Sequence, residues 1–219
     1  MNEAVSPPAA TPSIRDKLGY QAGLLGGVCA LVSLLLLGGN LMTTETIDLH
    51  LDNDKKVLLE QVLPASLYDN DPLQESESFA ESVFFSQPVT LYTARRQQFF
   101  SAVAIQAATP GWGGQIDFIV GINAAGAITG VRVINHRETP GLADKIELDK
   151  SDWITGFNGH SLANTPEPGW AVKKDGGQFD QFTGATITPR AVVKGVYQSM
   201  QFYEDWLKRD HSRSPQEEP

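Results

Sequence analysis

Charged residues are absent from Leu18 to Thr44, and Leu, Gly, Val and Ala dominate Ala22 to Met42. A helix of that length crosses roughly 30 Å of hydrocarbon. The pattern predicts a transmembrane anchor over residues 18–43. A cleaved signal peptide is the competing reading, but the uncharged stretch is too long for one and no clear Ala-x-Ala site follows. Residues 1–17 are rich in Pro, Ala and Ser and end in Arg15 and Lys17, the composition of a disordered tail. The next basic residues, Lys55 and Lys56, come well after the span and behind acidic ones. The positive-inside rule therefore puts the N-terminus in the cytoplasm and the chain after residue 43 outside it. Gly23 and Gly27 have the Gly-x-x-x-Gly spacing of packed membrane helices, although glycine is frequent in such spans anyway.

Beyond the anchor the pattern changes period. Residues 44–85 read as a helical and linker segment. Lys55 to Leu63 is a short amphipathic helix that Pro64 ends, followed by an acidic, Ser-rich connection. Pro88 to Thr93 and Phe99 to Ala107 are rich in β-branched and aromatic residues and predict strands. Thr109 to Gly114 is a turn-rich loop. Gln115 to Asn123 and Ile128 to Asn135 form a hairpin around Ala124-Ala125-Gly126-Ala127. Leu142 to Leu148 reads as a short helix, Trp153 to Gly159 as a loop, and Trp170 to Lys174 as a strand. Asp175-Gly176-Gly177 is a turn. Ala191, Val192, Val193, Val196, Tyr197, Met200, Tyr203 and Trp206 follow a helical stripe. The predicted fold class is α+β: a mostly antiparallel sheet with flanking helices, preceded by one transmembrane helix. The folded domain spans residues 86–209, and 210–219 is a polar tail.

Charge and composition narrow the function. The chain has 219 residues, a formal net charge of −9 and a single cysteine, Cys29, inside the span. No Lys/Arg cluster stands out, which disfavours nucleic acid. Neither a disulfide framework nor a cysteine metal site is available, and no metal is expected. There is no Gly-x-Ser-x-Gly elbow of a hydrolase, and no catalytic residue is assigned.

One loop concentrates the candidate chemistry: Asp180-Gln181-Phe182-Thr183-Gly184-Ala185-Thr186-Ile187-Thr188-Pro189. Thr188 is a good N-cap and Pro189 suits the first helical position. The helix start would carry partial positive charge, and Gly184 and Ala185 leave room for a ligand. The residues alone leave two readings open, a phosphate site or a capped surface helix with a Thr-rich lead-in.

The string Asp-x-x-Thr-Gly-Ala-Thr-x-Thr resembles the flavin-attachment signature of the FMN-binding domain family. That family includes the G subunit of the Rnf (Rsx) electron-transport complex and the C subunit of the sodium-pumping NADH:quinone reductase. Glu138-Thr139-Pro140-Gly141-Leu142 and Gly111-Trp112-Gly113-Gly114 resemble two further family elements, in the family's order. Length favours the Rnf subunit. The resemblance implies FMN esterified through its phosphate to Thr186 and installed by a separate flavin transferase. It also implies electron transfer inside a multi-subunit, ion-translocating oxidoreductase of the bacterial inner membrane, linking ferredoxin and NAD, with the C-terminal domain periplasmic. The protein would not be an enzyme on its own. The expected cofactor-binding residues are Thr186, Thr183, Gly184, Ala185, Thr188, Glu138, Thr139, Gly141, Leu142 and Trp112. Trp112 either stacks near the ring or is a half-buried loop aromatic. His136, with no visible titrating partner, reads as structural, and Asp180 as a residue the transferase recognises or a solvated acid. The rivals are a membrane-tethered module that holds a phosphorylated ligand non-covalently and the quinone-reductase subunit.

Overall fold

The structure, a computed structural model, describes residues 18–211, with side chains over 19–38 and 55–209. The tails at 1–17 and 210–219 lie outside the described residues, apart from Asp210 and His211. Two compact units divide the chain, Met1–Asn53 and Asp54–Pro219. Helix α1 is assigned continuously over Leu18–Val62, so the amphipathic helix expected at Lys55 is its last part. Within the first unit, Gly19–Gly38 is long and apolar enough to cross a membrane, and none of its residues is buried, as a lipid-facing helix requires.

The second unit is built on a five-stranded antiparallel meander: β1 (Ser76–Phe79), β2 (Val89–Arg96), β3 (Phe99–Pro110), β4 (Gln115–Asn123) and β5 (Ile128–Asn135), in that spatial order. Helix α2 (Ile187–His211) follows. Alternation along the strands feeds two cores. Val89, Leu91, Val103, Ile105, Ile116, Phe118, Val120 and Ile122 bury one face with Val192, Val193, Val196 and Met200 of α2. Tyr92, Ala94, Ala102, Ala104 and Ile119 bury the other with Leu59, Val62 and Leu63. That second face is floored with small residues because the chain lies directly on it. A Cβ on Gly121 would collide with the Val62 carbonyl, which also accepts a hydrogen bond from Thr129 Oγ1.

Three segments differ from the sequence reading. Ser76–Phe79 is not linker but an edge strand paired with Val89–Tyr92. Trp170 to Lys174 is not a strand: a 3-10 turn at Glu167–Gly169 precedes it, another at Lys173–Asp175 takes in its last two residues, and one bridge joins Val172 to Phe179. Its apolar residues are held by aromatic packing, with Trp170 stacked on Tyr197 at 5.6 Å. Leu142 to Leu148 contributes only a 3-10 turn at Asp144–Ile146, and Trp153 to Gly159 contains one over Asp152–Phe157.

Candidate functional site

Three segments meet at the end of the sheet where β3 turns into β4 and β5 stops. The first is the tight turn Gly111-Trp112-Gly113-Gly114, closed by a 2.7 Å hydrogen bond from Gly111 N–H to the Gly114 carbonyl. Its glycines are dictated by proximity. A Cβ on Gly113 would collide with the Arg137 carbonyl, and one on Gly111 with the Glu138 carboxylate. Trp112 lies between them and is 71% exposed, well beyond half-buried.

The second segment, His136 to Ala143, leaves the end of β5. Gly141 has φ +74°, the left-handed conformation that lets the Thr-Pro-Gly turn reverse the chain. Glu138 is only 4% exposed. One carboxylate oxygen accepts the Gly113 N–H at 2.8 Å and the other accepts the Thr188 hydroxyl. His136 does have a titrating partner: its Nε2 lies 2.6 Å from Glu147 Oε1, while its Nδ1 accepts the Glu138 N–H at 3.0 Å. The acceptor role of Nδ1 assigns the neutral ring's hydrogen to Nε2. The pairing supports the structural reading of His136 but through a carboxylate the sequence did not reveal.

The third segment is the threonine-rich loop. Phe182 is buried against Trp153, with ring centroids 5.1 Å apart, and Trp153 Nε1 donates to the Asp180 carbonyl at 2.8 Å. Phe182 pairs with Ala185 across a turn whose Gly184 has φ +84°, so the chain is pinned on both sides of the exposed Thr183 and Gly184. The side chain of Asp180 is exposed and ion-paired with Lys173 at 2.7 Å. Helix α2 begins a fraction of a turn earlier than the sequence suggests. Arg190 N–H bonds to the Thr186 carbonyl at 3.3 Å, which makes Thr186 the N-cap and Pro189 the third helical residue. Pro189 is still harmless there, since the first four helical N–H groups lack intrahelical partners.

A cavity of about 200 Å³ opens between the three segments. Trp112, Thr139, Leu142, Ala143, Gly184, Ala185, Thr186, Ile187 and Thr188 line it. Seven of the ten expected residues are in that lining. Thr183 and Gly141 are at the surface outside it, and Glu138 lies behind it. Ala143 and Ile187 were missed; their only signal was adjacency to Leu142 and Thr186. Thr188 is 1% exposed and its hydrogen is committed to Glu138, so it offers the cavity acceptor lone pairs rather than a donor. Thr186 has no such partner and is half-buried at the rim.

No lining side chain is charged. The nearest cation of α2, Arg190, is held by a two-pronged ion pair to Asp175 at 2.5 and 2.6 Å, which pulls the Asp175 carboxyl below its usual range. The helix start contributes about half a positive charge, but the buried Glu138 carboxylate sits against it. The cavity can therefore take a flat apolar group beside a hydroxyl. It is small next to the roughly 300–1,000 Å³ of sites that enclose a ligand, so a larger group would remain partly outside.

The FMN-binding domain family model matches residues 111–201, the span that contains all three segments. Among curated proteins, the G subunit of the ion-translocating oxidoreductase complex of Stutzerimonas stutzeri is 50% identical over 200 residues, covering 90% of this chain and 87% of that protein. The protein of the same name from Pseudomonas aeruginosa is 47% identical over 165 residues, covering 74% and 76%. That of Cereibacter sphaeroides is 43% identical over 184 residues, covering 84% and 83%.

Proposed function

The chain belongs to the family of G subunits of Rnf-type ion-translocating oxidoreductase complexes, and from that premise we propose that it carries FMN covalently, as a phosphoester on Thr186. The observation that carries the covalent reading is the cavity's lack of any cationic side chain beside an unengaged threonine hydroxyl. A phosphate held by contacts alone is normally met by Lys, Arg or a metal together with a free helix start. Here Pro189 has no amide hydrogen, Arg190 is engaged by Asp175, and Glu138 opposes the helix dipole. The non-covalent module is disfavoured on that ground. The relatives from Stutzerimonas, Pseudomonas and Cereibacter carry the name of the G subunit rather than that of the quinone-reductase subunit.

The residues present suit the group. Trp112, Leu142, Ala143, Ala185 and Ile187 offer apolar walls for a flat ring, and Gly184 adds no side chain at the mouth. A shallow site forgoes about 25 cal/mol per Å² of apolar surface left wet. A covalent bond offsets that loss by abolishing dissociation while leaving the ring within reach of a redox partner. Bound there, FMN would accept and pass on electrons. The chain's own part is to hold it, keep one face dry and leave the other open. The protein then acts as an electron-transfer subunit beside the other subunits of the complex, without turnover of its own. Its apolar Gly19–Gly38 helix anchors it in the membrane, with Arg15 and Lys17 on the cytoplasmic side and the flavin domain on the periplasmic side of the bacterial inner membrane.

The test is co-expression with a flavin transferase, followed by denaturing electrophoresis viewed under ultraviolet light. Wild type should fluoresce and gain the mass of one FMN less one water on the peptide containing Thr186. Thr183→Ala should still fluoresce and Thr186→Ala should be dark. A dark wild-type band, or a fluorescent Thr186→Ala, refutes the assignment.

A further inference from the structure

We propose that Glu138 is a positioning residue of the flavin site: it never touches the cofactor, and it holds the three walls of the cavity in register. This inference rests on the flavin reading above. The walls come from Trp112, from Thr139, Leu142 and Ala143, and from Gly184 to Thr188, three segments far apart in sequence. Glu138 belongs to the second and makes one hydrogen bond to each of the others, to Gly113 N–H and to the Thr188 hydroxyl. It is 4% exposed and does not line the cavity, so the resemblance-based expectation that it lies along the ring gives way to a role behind the wall.

The chemistry of the clamp is specific to a carboxylate. Both partners present hydrogens, an amide N–H and a hydroxyl, and two acceptor oxygens in a fixed fork satisfy them together. A carboxamide has one acceptor oxygen and an NH₂ group. It can keep the Gly113 bond only if the Thr188 hydroxyl turns round to accept, which frees that hydrogen toward the cavity. Alanine loses both bonds and leaves Gly113 N–H without its partner. The backbone of Glu138 is itself fixed by His136 Nδ1, so the clamp is anchored at the strand end and cannot swing to follow a shifted loop. Gly111 and Gly113 are then explained as the residues that let the Trp112 turn come close enough to be clamped.

The experiment uses the full chain in detergent, with 5-fluorotryptophan incorporated and the Trp112 fluorine resonance assigned by Trp112→Phe. Wild type, Glu138→Ala, Glu138→Gln and a control, Ile122→Ala, are compared. Ile122 is buried at the opposite end of β4, so its truncation destabilises the same sheet without touching the cavity. Before any flavin is added, Glu138→Ala should shift or broaden the Trp112 resonance and leave that of the buried Trp170 in place. After co-expression with the transferase, its covalent flavin per folded protein should fall at least tenfold. Glu138→Gln should recover much of the loading, with a displaced flavin absorption band, since Thr188 would then donate into the cavity. Ile122→Ala should load as wild type does. Full loading of Glu138→Ala with an unmoved Trp112 resonance overturns the inference and leaves the flavin assignment standing. Loss of loading in proportion for Ile122→Ala also overturns it, because destabilisation alone would then explain the defect. A wild type that takes no flavin removes both.

Discussion

Gly195, in the middle of α2, gives a prediction in which two opposing effects must be weighed. Glycine inside a helix is ordinarily a weakness, and replacing it with alanine gains about 1 kcal/mol. At this position the helix lies on the sheet. A Cβ would stand 2.7 and 2.8 Å from the ring carbons of Phe118 and 3.3 Å from Thr109 Cβ. Phe118 is fully buried and backed by Phe85, ring centroids 6.5 Å apart, so it has nowhere to move. Forcing an extra methyl group into a filled core costs about 1–3 kcal/mol. The sum predicts that Gly195→Ala is destabilised by about 1 kcal/mol, a fall in Tm of roughly 2–4 °C for a domain of this size. The assay is thermal unfolding of the full chain in detergent followed by near-ultraviolet circular dichroism, which reports the aromatic core. Gly156→Ala, on an exposed 3-10 turn with nothing within 4 Å of the new Cβ, should not lower Tm. Pairing Gly195→Ala with Phe118→Leu should cost at least about 0.5 kcal/mol less than the sum of the single changes, because the shorter side chain makes room for the methyl group. A Gly195→Ala protein more stable than wild type would refute the close packing of α2 on β4.

Four further outcomes follow from particular contacts. Gln98 holds φ +67° in the β2–β3 turn, where a non-glycine residue costs about 1–2 kcal/mol; Gln98→Gly should raise the denaturant midpoint, and a fall would contradict the turn. Thr129→Val removes the hydroxyl that bonds the Val62 carbonyl at 2.5 Å; it should cost about 1 kcal/mol and speed amide exchange at Leu63, and unchanged exchange would count against the docking of that segment. Trp112→Ala should leave the flavin-free protein's Tm within about 1 °C, since an exposed side chain contributes little to folding, yet alter the emission of loaded protein; unaltered emission would place Trp112 away from the ring. Glu75 is held below the usual carboxylate range by its hydrogen bond to Arg95 at 2.7 Å, helped by Asn70. A depressed folded-state pKa stabilises above the unfolded carboxylate's pKa and is lost as pH falls through the folded value. The small stability gap between wild type and Glu75→Gln should therefore be present at pH 7 and close in acid, and a gap that widens in acid would reverse the sign.

Strands were legible where one face is buried and the turn residues are conventional. Gln115–Asn123 and Ile128–Asn135 have the boundaries that alternation and the Gly126 turn imply. The β2–β3 hairpin was hidden because its turn is Gln97-Gln98, both at positive φ with neither glycine nor asparagine to announce it. The edge strand Ser76–Phe79 was hidden because three of its four residues face solvent and only Phe79 packs, against Phe202 at 5.3 Å. Trp170 to Lys174 misled in the opposite sense, since a short apolar run reads as strand whether it pairs or merely packs. In the site, the residues marked the loop, because its glycine turn and helix start are local, and only the resemblance to the family motif pointed to Thr186 within it.

The sequence by itself determined the apolar N-terminal helix, the alternating strands, the stripe of α2 and the family motifs, since each is written within a few neighbouring residues. Tertiary structure alone decided which threonine is engaged and which is free. Glu138 reaches Thr188 across 50 positions of chain, and that bond exists only once β3, β4 and β5 are in register and α2 has docked on them. A pairing made across folded layers depends on the relative placement of whole elements, and no local pattern of residue types encodes that placement.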